Sequence, residues 1–152
     1  MNNQFLRKYG MELDVNSMKS LDIISSPKSV IKEAEGLLAD AYGADYGFYM
    51  VGGTTAAVQA MIMSSVNPGE KIILPRNAHK SAINGLILSG AIPVYIQPEI
   101  DEKIGIAMGV TIKNVKKAIL NNPDAKAIFI INPTYYGITS DLKAIVELAH
   151  EN

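Results

Sequence analysis

Cysteine is absent from this chain, which excludes disulfides, thiolate catalysis and cysteine-ligated metals. Tryptophan is absent too, and the two histidines, His79 and His150, are too few for a histidine-rich metal centre. Neither sign of charge is in excess: 14 basic and 15 acidic side chains leave a formal net charge of −1. No basic stripe stands out, so no nucleic-acid partner is expected. No apolar run approaches membrane-spanning length, and Met1-Asn2-Asn3-Gln4 lacks the charged-then-apolar order of a signal peptide. A cytoplasmic protein without a membrane partner is the expectation. Three familiar site motifs are also missing. No Gly-Lys-Ser/Thr closes a Walker loop, no third glycine completes a dinucleotide fingerprint, and no Gly-x-Ser-x-Gly elbow occurs.

What is present is a globular composition, 48% hydrophobic over 152 residues, enough for one domain with a real core. Residues 1–25 carry no sustained period and read as an irregular lead-in. Ser26-Pro27 then opens a helix whose apolar stripe is Val30, Ile31, Ala34, Leu37, Leu38 and Ala41, with Gly43 as its stop. Gly47 to Val51 reads as a strand. Thr55 to Val66 reads as a helix apolar almost all round and therefore buried. Lys71 to Leu74, Ile92 to Ile96 and Ala127 to Ile131 read as strands. His79 to Ser89, with Ile83, Leu86 and Ile87 on one side, reads as a helix stopped by Gly90. Thr111 caps a further helix, and Ser140 caps the last. Gln97 to Gly109 reads as a loop. Strands that are apolar on both faces and alternate with helices predict an α/β fold: a mostly parallel sheet between two helical layers.

Three strand ends carry chemistry. Val51-Gly52-Gly53-Thr54-Thr55 is a strand-to-helix turn in which glycine allows tight backbone and the threonines can cap the helix. It is either a plain turn or an anion cradle, because the first helical N–H groups lack intrahelical partners. Arg76-Asn77-Ala78-His79-Lys80-Ser81 follows a strand at the carboxyl end, where ligand crevices form. His79 is a ring to stack on a planar ligand, a proton carrier, or a helix-start residue bonded to nearby backbone. Lys80 is a Schiff-base candidate or a solvated charge. Asn132-Pro133-Thr134-Tyr135-Tyr136-Gly137 follows the last strand; it offers hydroxyls and flat faces, or is a proline turn whose tyrosines cover core edges.

Together and in this order, the three segments resemble the Orn/Lys/Arg decarboxylases of the aspartate-aminotransferase fold, which use pyridoxal 5′-phosphate. The likeness runs along nearly the whole chain. It takes in Leu21-Asp22 with Pro27, Ala34-Glu35, and Ala41-Tyr42-Gly43-Ala44-Asp45. It continues through Pro68-Gly69-Glu70-Lys71, Ser89-Gly90-Ala91-Ile92-Pro93, Gly105-Ile106 and Gly109-Val110-Thr111. Within the family, the chain resembles the shorter, Gram-positive-type arginine decarboxylases.

The resemblance implies that Gly53, Thr54 and Thr55 hold the cofactor phosphate, that His79 stacks on the pyridine ring, and that Thr134 lies near the cofactor. It matches Lys80 to an early His-Lys pair rather than to the Schiff-base lysine. That lysine, and the aspartate that pairs with the pyridine nitrogen, are expected beyond the last helix; a Pro-Gly-His-Lys lead-in is expected before Met1. Residues 26–152 are thus expected to be part of the large domain of such an enzyme, inactive in isolation. The implied substrate is a basic amino acid, arginine, lysine or ornithine, converted to a polyamine precursor with release of carbon dioxide. A homo-oligomer built on a dimer is expected, together with the rest of the parent chain. Two alternatives stay open: another enzyme of the same fold, an aminotransferase or a lyase, and a non-catalytic binding or assembly module.

Overall fold

A computed structural model describes residues 7–8 and 21–152; the rest of the irregular lead-in lies outside the described residues. The chain divides into two compact units, residues 1–50 and 51–152.

In the first unit, helix α1 spans Val30–Tyr42, starting later than the Ser26-Pro27 reading. Its N-cap, Ser29, makes no side-chain cap. Asp22 takes over that work. Its carboxylate accepts hydrogen bonds from the amides of Ile23 (2.9 Å), Lys28 (2.8 Å), Ser29 (2.7 Å) and Ile31 (3.1 Å). To reach them, Asp22 adopts φ 76°, a left-handed conformation that aspartate tolerates better than most residues. Partial loss of water works against ionisation there. The amides of Lys28, Ser29, Ile23 and Lys32 outweigh it and bring the carboxyl from 3.8 to about 2. Gly43 ends the helix in the left-handed region, as expected (φ 63°).

The buried face of α1 centres on Glu35 and Ala39, while Leu37 of the expected stripe is exposed. Glu35 pairs with Lys32 Nζ at 3.3 Å. Gly47 then lies flat on α1: a Cβ there would stand 2.7 Å from the Glu35 carbonyl oxygen. The expected strand from Gly47 to Val51 does not form. A strand needs a partner edge for its backbone groups, and none pairs with it among the described residues. Tyr46 and Phe48 are left exposed.

The second unit carries the sheet. Helix α2 (Gly53–Ser65) leads to β1 (Lys71–Pro75), α3 (Lys80–Ser89), β2 (Ile92–Ile96), the short strands β3 (Ile100–Asp101) and β4 (Ile106–Ala107), α4 (Ile112–Asn121), β5 (Ala125–Ile128) and α5 (Leu142–His150). The three long strands are parallel in the order β2-β1-β5. The pleat sends alternate residues of β1 to opposite sides. Ile72 and Leu74 join Ile62, Ala82 and Leu86 from α2 and α3, whereas Ile73 joins Val115, Ile119 and Ile145 from α4 and α5. These are the expected three layers. Lys71 Nζ and Asp124 Oδ1, 2.9 Å apart, tie the starts of β1 and β5, and that hydrogen bond lowers the Asp124 pKa.

Several details depart from the expectations. α2 is buried on one side only, at Ile62, with Met61 and Met63 exposed. α3 buries Ala82, Gly85 and Leu86 rather than Ile87. β5 spans Ala125–Ile128, starting before Ala127 and ending before Ile131. The Gln97–Gly109 loop holds the antiparallel pair β3–β4. Asp141 rather than Ser140 caps α5, and Ser140 Oγ instead accepts the Val110 amide at 3.2 Å. Thr111 caps α4 as expected, accepting the Asn114 amide at 3.3 Å.

Candidate functional site

The helices α2 and α3 run in the same direction. Their carboxyl ends meet where the Gly69 amide donates to the Gly90 carbonyl (2.9 Å) and Gly90 packs on Pro68. Midway, Gly85 rests against Gln59 and Ile62. Both first turns therefore lie toward the carboxyl end of β1, which leads through Arg76 to His79 directly into α3. The sheet order thus brings two of the three sequence segments to one end of this unit.

At the start of α2, Gly52 is the N-cap and Gly53 turns the chain with φ 68°. No side chain caps this helix and no acidic residue occupies its first turn. The threonines expected as caps stand instead inside the first turn, exposed, with their hydroxyls available. The first amides thus keep their donors, at the positive end of the helix dipole. Space for a side chain at Gly52 is blocked, since a Cβ would stand 2.7 Å from Ala56 Cβ.

His79 is the N-cap of α3, with φ −61° and ψ 152°. Its Nδ1 accepts the Ser81 amide at 3.1 Å and lies 2.9 Å from Ser81 Oγ. The helix-start reading of this histidine is therefore correct, and it does not exhaust the residue. His79 also lines a cleft of about 590 Å³ at the carboxyl end of the sheet. Asn77 lies beside it, and Thr134, Tyr135 and Tyr136 approach from the segment after β5. Thr134 is buried; its Oγ1 accepts the Ile138 amide at 3.2 Å and its carbonyl accepts the Gly137 amide, so it braces the turn. The tyrosines do not cover core edges: Tyr135 is 95% exposed, and the two rings meet edge to face at 5.3 Å.

Gly53, Thr54 and Thr55 do not line this cleft, nor does Lys80. Lys80 is an exposed residue in the first turn of α3. Arg76 turns to the Tyr95 ring, with its guanidinium carbon 4.9 Å from the centroid. Two contributors escaped the sequence reading. The wall formed by Gly105, Ile106 and Ala107 belongs to a hairpin whose strands are too short to leave a period. The Ser81 contact with His79 was legible in principle, since a residue two positions after an N-cap presents its amide to the cap side chain. Among the described residues no group of three His, Asp or Glu side chains could hold a metal, and no helix is long and apolar enough to cross a membrane.

Comparison with known proteins gives the family of the chain. The family described as "Orn/Lys/Arg decarboxylase, major domain" matches residues 1–152. The arginine decarboxylase of Bacillus subtilis (strain 168) is 46% identical over 147 residues, covering 97% of this chain and 30% of that protein. The arginine decarboxylase of Halalkalibacterium halodurans is 50% identical over 146 residues, covering 96% of this chain and 30% of that protein. Among solved structures, the constitutive lysine decarboxylase of E. coli superposes with a TM-score of 0.70 at 23% identity, covering 88% of this chain and 20% of that one, a likeness of fold. The chain thus spans under a third of the length of these relatives.

Pyridoxal 5′-phosphate, which this family implies, suits the donor set in two respects. The uncapped, acid-free start of α2 accommodates a phosphate dianion, and the cleft offers an imidazole and two tyrosine rings to a planar group. No lysine, aspartate or glutamate lines the cleft among the described residues.

Proposed function

This chain belongs to the Orn/Lys/Arg decarboxylase family, and on that premise we propose that it is the cofactor-gripping portion of a pyridoxal 5′-phosphate-dependent decarboxylase of basic amino acids. Residues 26–152 would form part of the large domain, preceded by a lead-in over 1–25. The substrate would be arginine, lysine or ornithine, in keeping with the names of the relatives. When bound, the cofactor supplies an electron sink for the pair left on the α-carbon as carbon dioxide departs.

The chain's own residues bind and orient. Amides at Gly53, Thr54 and Thr55, with the two threonine hydroxyls, would donate to the phosphate and fix its position. His79 would lie against the ring plane. Thr134 would stand beside the cofactor, held by its bond to the Ile138 amide. Ile106, Ala107 and Ile131 would exclude water from one side of the cleft. Because no lysine lines that cleft, the chain by itself is expected to bind without turnover. The parent protein is proposed to be cytoplasmic and built from homodimers.

The observation that carries this reading is the start of α2, free of side-chain caps and acids, at the same end of the sheet as His79. The test is a titration of the full-length protein with pyridoxal phosphate, followed by product analysis with arginine, lysine and ornithine. Cofactor binding with release of carbon dioxide and the corresponding amine is the expected result. A 2-oxo acid as the product, or no cofactor binding, would overturn the reading.

A further inference from the structure

We propose that Ser81 is a positioning residue that fixes the His79 imidazole as the Nε2–H tautomer. His79 then offers the cleft a ring face and a proton donor rather than a basic nitrogen. The proposal deepens the reading above and rests on it in one respect, that a planar cofactor lies against His79.

The argument begins with a donor that has no choice. A backbone amide only donates, so the Ser81 N–H at 3.1 Å requires Nδ1 to be an acceptor. A neutral imidazole carries one N–H, which must then sit on Nε2. With Nδ1 an acceptor, the Ser81 hydroxyl at 2.9 Å can only donate to it. Both polar groups of one residue therefore converge on a single ring nitrogen. Ser81 is itself buried, next to the fully buried Ala82, so the clamp is mounted on a rigid helix. The backbone of His79 is held as well, because its carbonyl accepts the Ala82 amide at 2.9 Å.

The other nitrogen is left over. Nε2 has no hydrogen-bond partner among the described residues, and His79 lines the cleft. Serine, threonine, aspartate or asparagine would cap α3 at least as well. A histidine in that place leaves an aromatic face and one N–H beyond what the cap consumes.

The experiment uses the full-length protein in two arms. In the first, wild-type protein labelled with 15N-histidine reports the ring nitrogens of residue 79 in the apo state, assigned by their loss in His79→Gln. The expected result is an unprotonated Nδ1 and a protonated Nε2; a protonated Nδ1 in the neutral ring overturns the proposal without any Ser81 variant having to fold. In the second, pyridoxal phosphate affinity and the induced circular dichroism of the bound cofactor are compared for Ser81→Ala, Ser81→Thr, His79→Ala and Ser81→Ala/His79→Ala. Ser81→Ala keeps the amide donor, and with it the tautomer, but deletes the hydroxyl that holds the ring from its second side; it is expected to weaken affinity by about 5-fold, the size of one lost neutral hydrogen bond, and to diminish the induced band. Ser81→Thr should restore both, and Ser81→Ala should have no further effect once His79 is alanine. An equal effect of Ser81→Ala with and without His79 overturns the proposal, as does a change in melting temperature alone. If His79→Ala weakens binding and Ser81→Ala does not, the proposal falls alone; if His79→Ala leaves affinity unchanged, the ring-face role of His79 falls with it.

Discussion

Gly85 on α3 lies so close to Ile62 on α2 that a Cβ there would stand 3.0 Å from Ile62 Cδ1 and 3.2 Å from Ile62 Cβ. This contact sets how closely the two helices approach, and so how their first turns sit together at one end of the sheet.

Ile62 is 1% exposed, so its side chain can shift only against other core atoms. Gly85→Ala is therefore expected to lower the melting temperature. An overpacking cost of about 1–3 kcal/mol outweighs the roughly 1 kcal/mol of helix propensity gained. Adding Ile62→Val removes Cδ1 and should recover part of the loss, a coupling that a double-mutant cycle measures. Strict additivity of the two changes would refute the close contact.

Thr54→Glu separates stability from binding. A negative charge in the first turn of α2 complements the helix dipole and should stabilise the chain by about 0.3–1 kcal/mol. The same charge would occupy the proposed anion cradle and repel phosphate. A higher melting temperature with lost pyridoxal phosphate affinity is expected. Retained affinity would move the phosphate elsewhere.

Asp22 gives α1 a pH-dependent start. Its folded pKa of about 2 lies below its ordinary 3.8. The stabilisation is thus fully present above about pH 4 and is lost as pH falls through about 2. Asp22→Gly keeps the left-handed backbone and deletes the acceptor. It should abolish this acid limb, read as protection of the Lys28 and Ser29 amides against hydrogen exchange. Unaltered protection at neutral pH in that variant would contradict the capping role.

Gly47→Ala brings a methyl group against main chain, 2.7 Å from the Glu35 carbonyl oxygen and 3.2 Å from the Ala39 nitrogen. No flexible side-chain end can move aside. The segment after α1 should lift away, with a loss of about 1–3 kcal/mol and faster proteolysis between Gly43 and Met50. Equal proteolysis rates for variant and wild type would show that the segment does not depend on this packing.

The sheet was legible where burial and periodicity agreed. Lys71 to Pro75 and Ile92 to Ile96 fall where the apolar runs place them, and Gly43 and Gly90 stop helices in the left-handed region, as glycines do. The misreadings share a cause: local pattern does not contain the partner. Phe48 and Tyr49 have strand composition, yet no edge pairs with them among the described residues. Pro27 suits a first helical turn, but Asp22, from outside the helix, sets the start at Val30. In the site, the order of the three strand-end segments puts His79 and Thr134 near one ligand, and the structure has both lining one cleft. The hairpin wall depends on a spatial neighbour that no spacing rule announces, whereas the Ser81 amide stands two positions after the cap that it serves.

The pairing of β1 with both β2 and β5 has a consequence for the order of assembly. Lys71 and Asp124, which join the starts of β1 and β5, are 53 residues apart in the chain. During synthesis at roughly 5–20 residues per second, the start of β5 therefore emerges on the order of 3–10 s after the start of β1. Until then the edge of β1 that β5 covers has no strand to pair with, and its unpaired backbone groups are open to any other strand that meets them.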